Sequence, residues 1–137
     1  MKKPRGPLFW IPRILAILLI AFLALFSLDS FQPGLSAGEI ALALLMHNIP
    51  VLVLIALLAV AWKWDLVGAV TFVGAGLLYI GLNIFNVFGT GLPWYLAISW
   101  SLSLAGPAIF VGALFYLNWA QQRRAMSTQE GLVSPQV

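Results

Sequence analysis

The sequence predicts an all-α integral membrane protein, built as a bundle of four transmembrane helices. Hydrophobic residues make up 62% of its 137 residues and charged residues 8%, against roughly 25% charged residues in an ordinary soluble domain. Residues 66–122 contain no Asp, Glu, Lys or Arg, and His47 is the one residue between 40 and 62 that can carry charge. A hydrocarbon layer about 30 Å thick is crossed by about 20 helical residues, so the longer segment accommodates two crossings and the shorter one a third.

The first helix is predicted over residues 9–28. Its basic start and 15-residue apolar core also fit a signal peptide, but the following "SLDSFQPG" lacks a small-x-small cleavage pattern. We therefore expect an uncleaved span. Because the core is short, the helix is extended backwards past Arg13, whose long side chain is expected to reach the lipid headgroups.

Turn residues separate the other predicted helices, which cover residues 38–61, 66–88 and 94–119. Ser36 lies three residues before Glu39 in a capping-box pattern, which predicts a helix start near Ala37. The four helices form one predicted domain over residues 1–120. Residues 121–137 are expected to be a disordered cytoplasmic tail, because they are small and polar.

An aromatic and charged corner is predicted where the second helix meets the third. Its residues are Trp62, Lys63, Trp64 and Asp65. Tryptophan suits a membrane interface because its ring has an apolar body and a polar edge. Asp65 is expected to cap the third helix beside Lys63, since a carboxylate there complements the helix dipole.

The basic residues indicate the orientation of the chain. They precede the first helix, lie between the second and third, or follow the fourth: Lys2, Lys3, Arg5, Arg13, Lys63, Arg123 and Arg124. Four crossings bring all of these positions to one side of the bilayer, whereas three or five would divide them. By the positive-inside rule we expect a multi-pass protein of the cytoplasmic membrane with both termini in the cytoplasm.

Small residues predict a close antiparallel contact between the third and fourth helices, since small side chains let helices approach in lipid. The fourth helix carries a stripe of them at intervals of three or four residues: Ala97, Ser101, Ala105, Ala108 and Gly112. On the third helix the expected contact face consists of Gly68, Thr71 and Ala75. Three further glycines are expected to lie elsewhere: Gly74, Gly76 and Gly81.

Polar residues inside the apolar segments form a candidate packing joint or polar pocket in the outer half of the bundle. They are His47, Asn48, Pro50, Asn83, Asn86, Ser99 and Ser103, with two outer-surface acids, Asp29 and Glu39. Pro50 removes the helical hydrogen bond to the carbonyl of Met46 and is expected to bend the helix. The polar groups either hydrogen-bond one another and fix the helix register, or line a pocket in which His47 titrates. Self-association is a third interpretation.

Most specific chemistries lack the residues they need. With no Cys and one His, the chain offers no closed zinc site, and His47 lies about two helical turns from Glu39, too far for a Ser–His–acid triad. Bis-histidine haem would require two chains. The basic residues are expected to mark topology rather than a nucleic-acid surface. We therefore predict no catalytic residue, cofactor or metal, and as partners the lipid bilayer, a second copy or a larger membrane protein.

Three stretches carry distinctive motifs: "RILAILLIAFLALFSLD", "LLMHNIPVLVLIALLAVAWKWDLVG" and "GPAIFVGALFYLNW". Their distinctive positions are His47, Ile49, Pro50, Ala61 to Asp65, Gly106, Pro107, Leu117, Asn118 and Trp119. From Arg13 to Trp119 the chain resembles a family of small four-span bacterial and archaeal membrane proteins of unknown function. Asp65 stands where that family pattern has Glu, and "LAGPAIF" where it has Ser-Gly-Pro. The resemblance implies the same fold and location, and no activity.

The expected function is a non-enzymatic one. A small membrane protein of this composition suits a structural, accessory or sensory role. The alternative is a minimal transporter or channel that uses the outer-half pocket around His47.

Overall fold

Helices make up nearly all of the computed structural model, which describes residues 6–26, 28 and 33–133, the side chains of His47 and Val133 excepted. The elements are α1 (Pro7–Leu25), α2 (Ala37–Ala61), α3 (Asp65–Thr90), α4 (Trp94–Trp100), a π-helical segment (Ser101–Ala105) and α5 (Gly106–Val133). No strand occurs within these ranges. The all-α prediction is confirmed, and each predicted helix begins within two residues of an observed one.

The second helix begins as its capping box predicts. The backbone N–H of Ser36 donates to Glu39 Oε2 at 2.8 Å, and the backbone N–H of Glu39 donates to Ser36 Oγ at 3.4 Å. These bonds give partners to N–H groups that the first turn of a helix leaves unpaired. Gly91 ends α3 in the left-handed conformation, with φ of 73°, which glycine adopts without steric cost.

Helix α2 is bent by 42° between its segments Ala37–Met46 and Asn48–Ala61. Pro50 follows this break and has no N–H to donate to the carbonyl of Met46, four residues earlier. The predicted bend is therefore confirmed. Pro50 also lies on the wall of a cavity between the helices.

The last helical segment is longer than predicted. The helix continues through Val133, so the predicted disordered tail is wrong over residues 121–133. The reason lies in "QQRRAMSTQE", which contains no Gly or Pro and is rich in residues that favour helix without needing an apolar partner. The hydroxyls of Ser127 and Thr128 both donate to the Arg124 carbonyl, at 2.9 and 3.0 Å.

The four long helices, α1, α2, α3 and α5, form a ring in which each contacts two neighbours. Helix α1 packs against α2 and α5, and α3 likewise packs against α2 and α5. The core between them includes Ala16, Phe72 and Phe115, each without exposed surface. The rings of Phe72 and Phe115 stack with their centroids 5.9 Å apart, which ties α3 to α5.

Glycine permits the close contact between α3 and α5. A Cβ added at Gly112 would lie 2.7 Å from Val73 Cγ2 and 2.8 Å from the Val73 backbone nitrogen, and one at Gly76 would lie 2.7 Å from Ile109 Cγ1. The predicted close approach is confirmed. The prediction that Gly76 lies off the contact face is wrong, because this face is centred on Phe72, a large residue that a search for small side chains passes over.

Among the described residues, three helical stretches are long and apolar enough to cross a bilayer, and four when the bent α2 counts as one span. Helix α3 has 26 residues and is about 39 Å long at 1.5 Å per residue, more than a hydrocarbon layer of about 30 Å requires. Large apolar side chains cover the outside of the bundle, including Val70, Leu78, Phe85, Phe88 and Leu102. So extensive an apolar surface suits contact with lipid or with a second protein.

Candidate functional site

One end of the bundle holds an ionic cluster, in which the buried ion pair of Arg13 and Asp65 accepts a hydrogen bond from Gln122, an exposed residue. The side chains of Arg13 and Asp65 are 1% and 6% exposed, and Arg13 Nη2 lies 2.6 Å from Asp65 Oδ1. Gln122 Nε2 donates to the other carboxylate oxygen, Oδ2, at 2.8 Å. Arg13 lies in α1, Asp65 in the first turn of α3 and Gln122 in α5. The ionic cluster therefore joins three of the helices in the ring.

Backbone carbonyls extend the ionic cluster to α2. Arg13 Nη1 donates to the carbonyl of Phe9 at 2.5 Å, and Nη2 also donates to the carbonyls of Ala61 and Trp62, at 3.4 and 3.2 Å. The last carbonyls of a helix have no partner within it. The guanidinium therefore donates to unpaired carbonyls at the end of α2 and complements the negative end of the α2 dipole. Asp65 complements the positive end of the α3 dipole.

Aromatic rings enclose the guanidinium. Its Cζ atom lies 3.6 Å from the ring centroid of Phe9, 5.4 Å from that of Phe115 and 5.7 Å from that of Trp62. Such contacts contribute about 0.5–2 kcal/mol each, more where water is excluded. The rings also replace the water that a charged side chain loses on burial, which otherwise makes a buried ion costly.

The surroundings of Arg13 and Asp65 correct two sequence predictions. The Arg13 side chain does not extend away from the bundle, as the predicted headgroup contact requires, because it is buried against a carboxylate and three carbonyl oxygens. Asp65 begins α3 as predicted, but its cationic partner is Arg13 rather than Lys63. The ammonium of Lys63 lies 5.6 Å from the Trp64 ring centroid instead, and Trp62, Lys63 and Trp64 are all exposed at the corner.

Most of the outer-half polar residues do not meet. Asn48 Nδ2 donates to the carbonyl of Leu44 at 2.8 Å and Ser103 Oγ to that of Ser99 at 2.8 Å, so both side chains bond within their own helix. Ser103 is exposed. The described side chains of this group therefore do not form the polar pocket that the sequence suggested.

Asn83 is the exception, since its buried side chain links two helices. Its Nδ2 donates to Ser101 Oγ at 3.2 Å, joining α3 to the π-helical segment. This bond fits the packing-joint interpretation for Asn83. The remaining candidates are dispersed: Asn86 and Ser99 are exposed, and Glu39 lies in the capping box at the start of α2.

Two candidates lie outside the described residues, namely Asp29 and the side chain of His47. Within the part of the chain that is described, no three His, Cys, Asp or Glu residues lie close enough together to hold a metal ion. Asn118, from the "LNW" motif, is buried one turn from both Phe115 and Gln122. Its Nδ2 atom and Arg13 Nε have no hydrogen-bond partner among the described residues.

The contribution of Gln122 to the ionic cluster is open to a direct test. We expect Gln122→Ala to lower the free energy of unfolding in detergent by about 1–2 kcal/mol, because it removes a hydrogen bond to a buried charge. The neighbouring Gln121→Ala change is the control, because both residues are exposed but of the two it is Gln122 that donates to Asp65; its expected effect is within about 0.5 kcal/mol. Equal effects of the two changes would show that the bond to Asp65 does not stabilise the bundle.

These features define an all-helical protein with three to four candidate membrane-spanning helices and a closed ionic cluster at one end. The chain belongs to the family described as a domain of unknown function, DUF7670, whose model matches residues 1–127. This finding agrees with the predicted resemblance to an uncharacterised family. A comparison with curated proteins gives no match, and neither does a comparison with solved structures.

Proposed function

We propose that this chain is a non-enzymatic integral protein of the cytoplasmic membrane that crosses it four times, with both termini in the cytoplasm. One observation carries the proposal: Arg13, Asp65 and Gln122 meet within hydrogen-bonding distance. Arg13 lies near the start of the first crossing, Asp65 between the second and third, and Gln122 after the fourth. An even number of crossings brings these three places to one side, which is also the side of all seven basic residues.

The construction of the ionic cluster supports a structural or accessory role. Arg13 and Asp65 compensate each other's charge, and the pair is enclosed by rings and carbonyls rather than facing a substrate-sized opening. A catalytic acid or base must be able to approach the substrate group with which it exchanges a proton. The side chains of Arg13 and Asp65 are too deeply enclosed for such an approach. The cluster instead fixes the cytoplasmic end of the bundle, while the exposed apolar surface is available to lipid, a second copy or a larger membrane partner.

Membrane vesicles test the proposal. Tags are fused to both termini, and the vesicles are washed at alkaline pH and treated with protease in right-side-out and inverted orientations. We expect the protein to remain in the washed membranes and both tags to be digested only in inverted vesicles. Release by the alkaline wash, or tags digested from opposite faces, would contradict it.

A further inference from the structure

A cavity of about 650 Å³ lies between the helices, on the outer side of the ionic cluster. Every crossing contributes to its wall, for example Leu23 from α1, Leu54 from α2, Leu78 from α3 and Leu104 from the π-helical segment. Its volume lies within the range of about 300–1,000 Å³ that is usual for ligand sites. The side chains of the wall are apolar apart from two hydroxyl groups, and none carries a charge.

The cavity exists because small residues and two helix irregularities meet around it. On α3 the wall includes Thr71, Gly74 and Ala75, small residues that leave space where larger side chains would fill the cavity. Opposite them, the proline bend moves α2 out of line. The π-helical segment forms a further part of the wall, and single π-helical turns of this kind are frequent at functional sites.

The cavity is open to the side of the bundle. Its wall residues Val53, Leu78 and Leu82 are 51%, 67% and 53% exposed, which places the mouth between α2 and α3. Gly74, Leu78 and Leu82 follow one another at intervals of four residues and form a row along this mouth. From Thr71 to Leu82 the wall extends about 16 Å along α3, so the cavity is elongated in the direction of the helices.

We propose that this cavity binds one hydrocarbon chain of a bilayer lipid, an inference that rests on the proposed membrane insertion. Interiors of proteins are close-packed, and an empty space of this size loses the dispersion contacts of its wall. Dry apolar cavities take up apolar molecules. The uncharged wall excludes a headgroup, while the sideways mouth faces the layer that consists of acyl chains. An acyl chain therefore matches the wall, the elongated shape and the opening.

Photolabelling tests the occupant directly. The full chain is reconstituted in vesicles of phosphatidylcholine that carries a diazirine in the middle of one acyl chain, irradiated, and mapped by mass spectrometry. We expect adducts at the wall residues Leu19 and Ala108, which are buried but retain 7% and 8% of their surface accessible, so that little of either is open to a label outside the cavity. Phe88, which is 86% exposed, reports contact with lipid on the outer surface.

Two glycine variants provide a matched comparison on α3. A Cβ added at Gly74 or at Gly81 meets no atom within 4 Å, but Gly74 lies on the cavity wall and Gly81 does not. Gly74→Phe is expected to lower labelling of the two buried wall residues roughly fivefold, because its ring occupies the space of the chain. Gly81→Phe is expected to leave it unchanged. Val53→Trp, which narrows the mouth from α2, gives a second blocked form should Gly74→Phe not fold.

The outcomes separate the two proposals. Adducts at Phe88 without adducts at the buried wall residues would overturn the cavity inference and leave membrane insertion intact. Wall labelling that neither Gly74→Phe nor Val53→Trp reduces would also overturn it, since the label would be arriving by another route. If no adduct forms anywhere, the protein has no contact with hydrocarbon and the proposed membrane function fails.

Discussion

Replacing Asp65 with Leu is expected to lower the free energy of unfolding by about 3–5 kcal/mol, the usual result of removing one partner of a buried ion pair. The Arg13 side chain is 1% exposed and would remain enclosed without its counter-ion. A guanidinium keeps its charge in proteins, so the cost cannot be relieved by loss of a proton. Arg13→Leu is expected to be destabilising as well, because it leaves the Asp65 carboxylate without its cation and the carbonyls of Ala61 and Trp62 without this donor.

The double variant distinguishes pairing from two independent losses. Arg13→Leu combined with Asp65→Leu is expected to recover most of the stability lost in Asp65→Leu alone, since neither charge is then left unpaired. Lys63→Leu at the same corner is the control, with an expected effect within about 0.5 kcal/mol. Unfolding is followed by circular dichroism during titration of mixed micelles with denaturing detergent. Strictly additive losses, or a loss for Asp65→Leu no larger than for Lys63→Leu, would contradict the pairing.

Replacing Gly112 with Leu is expected to lower the free energy of unfolding by about 3 kcal/mol, the upper end of the range for overpacked interiors. A Cβ at Gly112 would approach the Val73 backbone nitrogen to 2.8 Å and the Ala69 carbonyl oxygen to 3.0 Å. Backbone atoms of a helix cannot relieve such a contact by rotating away, as the end of a flexible side chain can. Helices α3 and α5 would therefore have to separate, and their stacked pair Phe72 and Phe115 would separate with them.

Gly81→Leu is the matched control for this change. Both positions are helical glycines in the same pair of packed helices, but a Cβ at Gly81 meets no atom within 4 Å. Because glycine is a poor helix former, its replacement by Leu is expected to be neutral or slightly stabilising. The same detergent titration measures both variants. Equal stability of Gly112→Leu and Gly81→Leu would mean that the close contact between α3 and α5 does not hold the bundle together.

The helices were predictable because their signals are local. The capping box of Ser36 and Glu39, the bend at Pro50 and the turn at Gly91 each depend on a few neighbouring residues, and the structure contains all three. The tail was not predictable in the same way. Residues 121–130 have neither an apolar face nor a Gly or Pro, so composition alone did not distinguish a helix that continues from a chain that ends in disorder.

The ionic cluster was missed because its partners are distant in sequence. Arg13 and Asp65 are separated by 52 residues and Asp65 and Gln122 by 57, and each has an ordinary local explanation as a headgroup contact, a helix cap or the start of a tail. A signal was present, however. Arg13 and Asp65 are opposite charges at ends of apolar segments that four crossings bring to the same side. Because unpaired charges are costly in an apolar medium, two such residues are expected to form an ion pair.

The polar outer half was over-interpreted for a related reason. Depth along a helix can be counted from the sequence, but the direction of a side chain around the helix depends on how the helices pack. Asn83 faces its neighbour, whereas Asn86 and Ser99 at similar depth point outwards. Serine and asparagine can also bond to a carbonyl one turn earlier in their own helix, as Ser103 and Asn48 do. The cavity that the structure does contain is apolar, and periodicity of polar residues could not indicate it.

Thiol accessibility tests most directly the claim that the chain crosses the membrane four times with both ends inside. The sequence contains no Cys, so each single replacement supplies the sole thiol, and a membrane-impermeant maleimide reports its side. The variants are Gly6→Cys, Lys63→Cys and Met126→Cys at the predicted inner positions and Gly38→Cys and Thr90→Cys at the outer ones. We predict labelling of the outer pair in intact cells and of the inner three only after the membrane is opened. Labelling of Gly6→Cys and Met126→Cys from opposite faces would contradict the account.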